Sequence, residues 1–210
     1  MCNRYRNAVR KAMREFEEWG FEEFSENRIK VRLGDRLDHV HEDIYPDRLA
    51  LTARLNDNGV LAPDIMRWGF PKVKSSYVTN VRNTASYYWK PWLNAEYRCL
   101  VPVTAFAEFS PIEPKGNRWF VRADGETMCF AGIWRPWTGD RGTKANPARG
   151  DHLLFSFLTT EPNAVVAPWH EKAMPVVLER GDWDLWLTGS TQDALALQRA
   201  AGDATLRLAF

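Results

Sequence analysis

The stretch NRWFVRADGETMCFAGIW, residues 117–134, carries the clearest local structural signal in this chain. Two runs of alternating character flank Asp124-Gly125, a dipeptide that favours the two-residue turn of a β-hairpin. The spacing therefore predicts two antiparallel strands joined at that turn.

Further apolar, β-prone runs lie on both sides of this stretch, at residues 49–55, 97–109, 151–160 and 174–179. Asn58-Gly59 follows the first run and is a turn signal. Residues 34–48 are polar and irregular. Residues 136–150 are rich in Gly, Pro and Arg, which predicts an exposed loop.

Helical spacing is confined to the two ends of the chain. Residues 8–24 place apolar side chains such as Ala12 and Phe16 on one face, which predicts an amphipathic helix. Residues 180–187 and 191–200 predict two short C-terminal helices, the last one capped by Ser190 or Thr191 and stopped by Gly202. Short strands joined mostly by turns, with helices at the ends, predict an α+β fold. We expect a single domain over residues 1–210, with a mainly antiparallel sheet or open β-barrel and flanking helices.

The composition is that of an ordinary globular protein, with 45% hydrophobic and 26% charged residues among 210. No apolar run approaches the roughly 18 residues of a membrane span, so we expect no membrane association. The formal net charge is only +1, so a nucleic-acid-binding function would require a local basic patch.

Cofactor chemistry finds no support in the sequence. It contains neither a GxGxxG nor a Walker motif, so we expect no nucleotide cofactor and no other cofactor. Cys2, Cys99 and Cys129 are too few and too scattered for a disulfide framework or a zinc site. They favour a reducing, cytoplasmic compartment, and the apolar surroundings of Cys99 and Cys129 predict core positions.

Cys2 is informative because of its position after Met1. Removal of Met1 would leave an α-amine and a thiol on adjacent carbons, and both groups titrate close enough to neutral pH to supply nucleophiles. Such a 1,2-aminothiol condenses with an aldehyde and closes a thiazolidine ring. The alternative from position alone is an incidental residue at a disordered terminus.

Several motifs then occur in order: MCNRY at the N-terminus, MRWGF (66–70), TNVRNT (79–84), RCLVPVTAFAEF (98–109), FAGIW (130–134), TTEPN (159–163) and HEKAMPVVL (170–178). Together they resemble the SRAP family of SOS-response-associated peptidases, also called abasic-site processing proteins. The resemblance spans roughly residues 2–187. It implies a role in the response to DNA damage and binding of single-stranded DNA that contains an abasic site. It also implies a covalent link from the N-terminal cysteine to the ring-opened sugar, with AP-lyase-like and autoproteolytic activities.

The resemblance implies a set of site residues. The catalytic positions are Cys2, Asn80, Glu108 and His170, and the DNA-binding positions are Arg4, Arg67, Trp68 and Arg82. We expect Lys72, Lys74 and Lys90 to add charge to the same basic groove. No metal site is expected.

The residue types suit this chemistry independently. A carboxylic acid in an apolar strand, such as Glu108, has a raised pKa and can exchange protons with the amine and the departing oxygen. An imidazole such as His170 can donate a proton when the sugar ring opens. A neutral amide such as Asn80 can hold a hydroxyl or the cysteine without adding charge.

Three positions depart from the family pattern. Thr84 stands where the family has a glutamate, and Phe109 stands where it has a tryptophan. The segment from His170 to Pro175 is one residue longer than in the family and lacks its arginine, a charge that Lys172 could replace.

Two other clusters of side chains in the sequence have functional residue types. The segment 39–43, HVHED, contains metal-ligand types in an irregular polar stretch, which favours a solvated surface over a metal site. Tyr87, Tyr88, Trp89, Lys90 and Trp92 form an aromatic and basic cluster that suits core packing and base stacking equally.

Two other function classes remain open from the sequence. One is a cysteine peptidase or amidohydrolase that uses Cys2, and the other is a single-strand-binding module without chemistry. For the main hypothesis the partner is single-stranded DNA with abasic sites. We expect a monomer that is cytoplasmic and associates with the nucleoid when bound to DNA.

Overall fold

The computed structural model describes residues 2–72, 77–142 and 145–209. Over these ranges the α-helices are α1 (Val9–Glu18), α2 (Glu26–Leu33), α3 (Trp183–Thr188) and α4 (Thr191–Leu195). None of these helices is long and apolar enough to cross a membrane. Helix α4 begins at the predicted cap, because the Ser190 hydroxyl accepts a hydrogen bond of 3.1 Å from the backbone N–H of Asp193.

The strands in the described residues are β1 (Arg4–Arg6), β2 (Asp43–Ile44), β3 (Leu49–Leu55), β4 (Leu61–Trp68), β5 (Phe70–Pro71), β6 (Tyr77–Val78), β7 (Asn80–Val81), β8 (Arg98–Val103), β9 (Ala105–Ser110), β10 (Gly116–Arg122), β11 (Met128–Gly142), β12 (Pro147–Thr160), β13 (Met174–Pro175), β14 (Val177–Leu178) and β15 (Leu206–Leu208). The predicted turn joins β3 to β4. There the Asn56 side-chain oxygen accepts hydrogen bonds of 3.0 Å from the backbone N–H groups of Asn58 and Val60, and Gly59 adopts φ 73°.

The larger sheet closes into a barrel within the described residues. Its ring runs β12–β4–β3–β8–β11 and returns to β12, because β11 pairs with β12 as well as with β8. The pairs in this ring are antiparallel except β4–β12, which is parallel. A second, smaller antiparallel sheet has the order β15–β10–β9–β1–β2. The predicted α+β class is confirmed, with a closed barrel rather than an open one.

Side chains at alternate positions of the barrel strands pack in two different hydrophobic cores. Leu51 of β3 packs in a core shared with Phe16 of α1, whereas its neighbour Ala50 belongs to a core shared with Tyr5 of β1 and Phe106 of β9. Full burial of a side chain such as Phe106 contributes about 1.5–3 kcal/mol. The second core therefore fixes the smaller sheet, including the first strand of the chain, against the barrel.

The hairpin predicted for residues 117–134 is wrong. Strand β10 pairs with β9 and β15 in the smaller sheet, whereas β11 pairs with β8, β12 and β14 in the larger one. A turn does form at Asp124-Gly125, with Gly125 at φ 81°, but it carries the chain from one sheet to the other. Alternation shows that one face of a strand is buried and does not identify the partner strand.

The loop predicted for residues 136–150 is also wrong. Strands β11 and β12 stay paired from Gly132 opposite Phe157 out to Gly142 opposite Pro147, so most of this segment is a two-stranded ribbon. The ribbon is anchored by Arg141, whose Nε donates to the Asp47 carboxylate over 2.8 Å. Composition indicated exposure, but an exposed ribbon can pair its own backbone groups and needs no loop.

The N-terminal helix is shorter than predicted. It ends at Glu18 and is followed by a 3-10 turn at Glu22–Phe24 and by α2, which the sequence interpretation did not identify. Residues 34–48 contain a 3-10 turn (Gly34–His39) and β2. The helix predicted over 191–200 ends at Leu195.

Candidate active site

Cys2 and Glu108 are brought together by adjacent strands of the smaller sheet. Strand β1 pairs with β9 with Arg4 opposite Ala107, and continuing that antiparallel register places Cys2 beside the part of β9 that holds Glu108. The register is fixed because a slip by one residue would turn the buried Tyr5 out of the core.

The Cys2 side chain is completely buried. Its thiol donates to the backbone carbonyl of Arg4, with a sulfur–oxygen distance of 3.4 Å. Burial, and then the negative charge of Glu108, raise the pKa of the Cys2 thiol well above its usual value. The thiol is therefore protonated at neutral pH and needs a base before it can act as a nucleophile.

Asn80 holds the cysteine by its main chain. Strand β7 places Asn80 opposite Phe157 of β12, and the side-chain Nδ2 donates to the Cys2 carbonyl over 3.0 Å. The same nitrogen donates to the Thr79 hydroxyl over 2.8 Å. The side-chain oxygen of Asn80 is buried and accepts no hydrogen bond from the described part of the chain.

Glu108 and His170 form a close carboxyl–imidazole pair. His170 Nε2 lies 3.6 Å from Glu108 Oε2, and its Nδ1 lies 3.1 Å from the Phe109 carbonyl oxygen. Because a carbonyl only accepts, Nδ1 carries a proton and donates it, which leaves the Nε2 lone pair facing Glu108 in the neutral ring.

Burial moves the pKa values of this pair in opposite directions. It raises the pKa of Glu108 to about 7 and lowers the pKa of His170, although the hydrogen bond to the Phe109 carbonyl partly opposes the second shift. Both shifts favour the uncharged forms. The pair therefore stores one proton near neutral pH, and the carboxyl group can act as an acid or as a base.

The predicted DNA-binding arginines all have acidic partners. Arg4 pairs with Asp43 at 3.0 Å and its guanidinium lies 4.9 Å from the Trp119 ring. Arg67 lies 3.7 Å from the Asp47 carboxylate and donates to the Asp47 carbonyl over 2.5 Å, and burial lowers its pKa. Arg82 is exposed and pairs with Glu161. These acids were not identified as site residues from the sequence, although Asp43 ends the segment weighed as a metal site.

Trp68 is a core residue. It has no exposed surface, stacks on Phe155 and Phe157 with centroid distances of 6.4 and 5.2 Å, and donates its indole N–H to the Thr79 carbonyl over 3.0 Å. A base cannot reach a ring in this position, so direct stacking of Trp68 on DNA does not fit the structure. Its position beneath Thr79 instead supports the strand that presents Asn80.

A cleft of about 480 Å³ opens beside these residues. Asn3, Arg4, Tyr45, Tyr77, Ala107 and Phe109 are among the residues that line it. A second cavity of about 360 Å³ lies beyond Phe109 and is lined by His170, Trp169 and Lys172, among others. Phe109 borders both, and 56% of its surface is exposed. His170, which faces the buried Glu108, thus lines one of two cavities that share the exposed Phe109 ring, and the two cavities together are called the groove.

The departures from the family pattern do not displace the pair. Despite the extra residue before Met174, His170 still reaches Glu108, and Lys172 lines the neighbouring cavity. Thr84 lies away from the pair and bonds to the side chain of Gln198 over 3.4 Å. Lys72 is exposed, and Lys74 lies outside the described residues.

The remaining candidates have structural surroundings. Cys99 and Cys129 are buried core residues, as predicted. His39 and His41 are exposed, and Asp43 pairs with Arg4 and Arg6. Among the described residues no three His, Cys, Asp or Glu side chains converge as metal ligands.

The family model of the SOS response associated peptidases (SRAP) matches residues 1–208. Two curated relatives, from Bacillus subtilis and from Bacillus phage SPbeta, both bear the name abasic site processing protein YoqW. Each is 24% identical over 172 residues, covering 76% of this chain and 72% of the relative.

Solved structures share the fold. A protein from Bordetella bronchiseptica matches with a TM-score of 0.73 and 20% identity, over 99% of this chain and 98% of its own. A protein from Bacteroides thetaiotaomicron matches with a TM-score of 0.75 and 17% identity, over 99% and 90% of the two chains.

Proposed function

Since this chain belongs to the SRAP family, we propose that it processes abasic sites by forming a covalent cross-link with single-stranded DNA. The name of the two curated relatives supports abasic-site processing. The observation that carries the proposal is the close grouping of Cys2, Asn80, Glu108 and His170 beside the groove, where Asn80 bonds to Cys2, Glu108 acts on the Cys2 thiol and His170 faces Glu108.

The nucleophile is the N-terminal cysteine after autoproteolytic removal of Met1. Its α-amine adds to C1′ of the ring-opened sugar aldehyde, and the carbinolamine loses water to give an imine. The thiol then adds across the C=N bond: sulfur bonds to C1′, and the thiol proton ends on the nitrogen. One water is released overall, and the product is a thiazolidine. β-Elimination from the imine is the step that would give lyase-like strand cleavage.

Glu108 suits the proton transfers of both stages. With a pKa near 7 it can protonate the departing hydroxyl of the carbinolamine and, as a carboxylate, accept the proton of the thiol. The thiol needs this base because burial keeps it protonated.

His170 serves the step before condensation, the opening of the furanose ring. Its side chain lines the second cavity, beyond Phe109, where a sugar could reach it. Asn80 keeps the cysteine in place through its main-chain carbonyl and leaves its buried side-chain oxygen for the sugar or the amine.

DNA would be held through contacts at the groove. Arg4 lies on the cleft wall and Arg82 on the exposed surface beside β7, while Phe109 offers an aromatic face. A phosphate must compete with Asp43 and Glu161 for these arginines, so affinity should depend strongly on salt. Arg67 acts more indirectly, since it is held by Asp47, which also binds Arg141 of the ribbon.

A conventional cysteine peptidase acting on other proteins is less well supported. The two curated relatives are named for abasic site processing and not for cleavage of other proteins. A binding module without chemistry leaves the close Glu108–His170 pair without a purpose.

The test is a cross-linking assay with an oligonucleotide that carries one abasic site. Without borohydride, the wild-type protein should give a shifted band on a denaturing gel, and intact mass should show loss of one methionine. The Cys2→Ala variant should give no durable band but keep its affinity, because affinity resides in the phosphate contacts. A durable band from Cys2→Ala, or cross-linking by protein that retains Met1, contradicts the proposal.

A further inference from the structure

The structure divides the aromatic cluster that follows β7 into a buried part and an exposed part. Trp89 is buried against Phe70, with ring centroids 5.4 Å apart. Tyr87, in contrast, is 87% exposed, and Tyr88 is exposed beside it. Trp92 is half-buried. Core packing therefore explains Trp89 but leaves the exposure of Tyr87 unexplained.

Two cations lie on the outer rings. Lys90 Nζ is 4.7 Å from the centre of the Tyr87 ring, and the Arg135 guanidinium is 4.2 Å from the centre of the Trp92 ring. In the part of the chain that the structure describes, no carboxylate lies within ion-pair distance of either cation. This contrasts with Arg4, Arg67 and Arg82, which all have acidic partners. The cluster thus has positive charge that no described acid offsets.

This surface lies close to the cleft. The Tyr88 hydroxyl donates to the Pro71 carbonyl, and Pro71 lies opposite Tyr77 in the β5–β6 pair. Tyr77 lines the cleft, and the guanidinium of Arg141 lies 3.9 Å from its ring. A single short β-pair therefore separates the cleft from the exposed aromatic cluster.

From this juxtaposition we infer that Tyr87, Lys90, Trp92 and Arg135 form an accessory surface for single-stranded DNA, which holds the strand as it leaves the cleft. The inference rests on the proposed function. Exposed rings beside unpaired cations offer the two contacts that a single strand uses, base stacking and phosphate neutralisation. Tyr87 is open on the face that Lys90 does not cover, so a base can stack there without rearrangement.

The test compares oligothymidylates of 12 and 4 nucleotides by fluorescence anisotropy. The double variant Tyr87→Ala, Lys90→Gln should lose about fivefold or more in affinity for the longer oligonucleotide, which is the low end of the cost of losing one stacked base. Affinity for the shorter oligonucleotide should change much less, because four nucleotides can occupy the cleft without reaching the accessory surface. The control Val31→Ala, Lys30→Gln changes an exposed apolar residue and a lysine on α2 and should affect neither length.

Each outcome decides between the possibilities. If the double variant binds the longer oligonucleotide as tightly as wild type while the wild type still cross-links, the accessory surface is wrong and the proposed function stands. A change in sedimentation without a change in DNA affinity would assign the surface to a second copy of this chain and also overturn the inference. Absence of any cross-link from wild-type protein would instead refute the proposed function.

Discussion

His170 Nε2 faces the Glu108 carboxyl at 3.6 Å while Nδ1 of the same ring meets the Phe109 carbonyl at 3.1 Å. The contact with the Phe109 carbonyl fixes the proton on Nδ1. Nε2 therefore has a lone pair that is directed at the Glu108 carboxyl. Phe109 thus contributes its main chain to the pair and its ring to the groove. Only the main-chain contact is independent of the identity of the side chain at 109.

Replacement of Glu108 by glutamine should slow cross-linking by about 10²–10⁴-fold, the usual contribution of general acid–base catalysis. The amide keeps the shape of the carboxyl but cannot transfer its proton. The loss should be equal for abasic DNA and for a small aldehyde that needs no ring opening. Single-turnover rates measure it. The wild-type rate should also change near pH 7, where Glu108 titrates, and the variant should lack this inflection.

The free energy of unfolding should also depend on pH through the titration of Glu108. The pKa of Glu108 is raised from 4.5 to about 7, so between these values the unfolded chain loses a proton that the folded chain keeps. The free energy of unfolding therefore falls as pH rises through this window, by up to about 3 kcal/mol for this group. Urea unfolding at pH 5 and pH 8 measures the difference.

Glu108→Gln is the matched comparison for that titration. Relative to the variant, the wild type should be more stable at pH 5 than at pH 8. A difference between the two proteins that is the same at both pH values would show that Glu108 has an ordinary pKa in the folded chain.

His170→Ala should slow the reaction with abasic DNA and spare the small aldehyde, because only the DNA sugar must open. DNA affinity should be nearly unchanged. Equal slowing of both substrates would place His170 in the condensation itself. No slowing of either would mean that the imidazole takes no part, despite its distance of 3.6 Å from Glu108.

Arg82→Ala should weaken binding to every single-stranded sequence and reduce the salt slope by about 0.7, the value of one phosphate contact on a single strand. Glu161→Gln supplies the opposite change, since it releases Arg82 from its acidic partner and should strengthen binding. Titrations between low and moderate salt measure both. An unchanged slope for Arg82→Ala would place this arginine away from the DNA.

Local signals in the sequence indicated several strands and a helix cap correctly, but they did not identify which strands pair with one another. The strand at residues 49–55 and the cap at Ser190 were confirmed, because each depends on neighbours within a few residues. The hairpin at Asp124-Gly125 was not, because pairing across the two sheets depends on contacts far along the chain. The sequence did not predict the ribbon formed by β11 and β12, because its anchor, the Arg141–Asp47 pair, joins residues that are 94 apart.

In the candidate site, too, the sequence indicated single residues but not the contacts between distant ones. The ordered motifs indicated Cys2 and Glu108, and a carboxyl in an apolar strand was expected to have a raised pKa, which agrees with the structure. The sequence could not reveal that Trp68 is enclosed, since a stacking ring and a core ring have the same composition. Nor could it reveal Asp43 and Asp47, whose roles as partners of arginine arise only when distant strands meet.

Strand β1 lies inside the smaller sheet, paired on one edge with β9 and on the other with β2. In the proposed cross-link, DNA would be attached to Cys2, two residues before this doubly paired strand. Tension on a cross-linked DNA strand would pass directly into two rows of backbone hydrogen bonds. A motor that pulls on the DNA would have to shear both rows before it could strip the protein's first residues away.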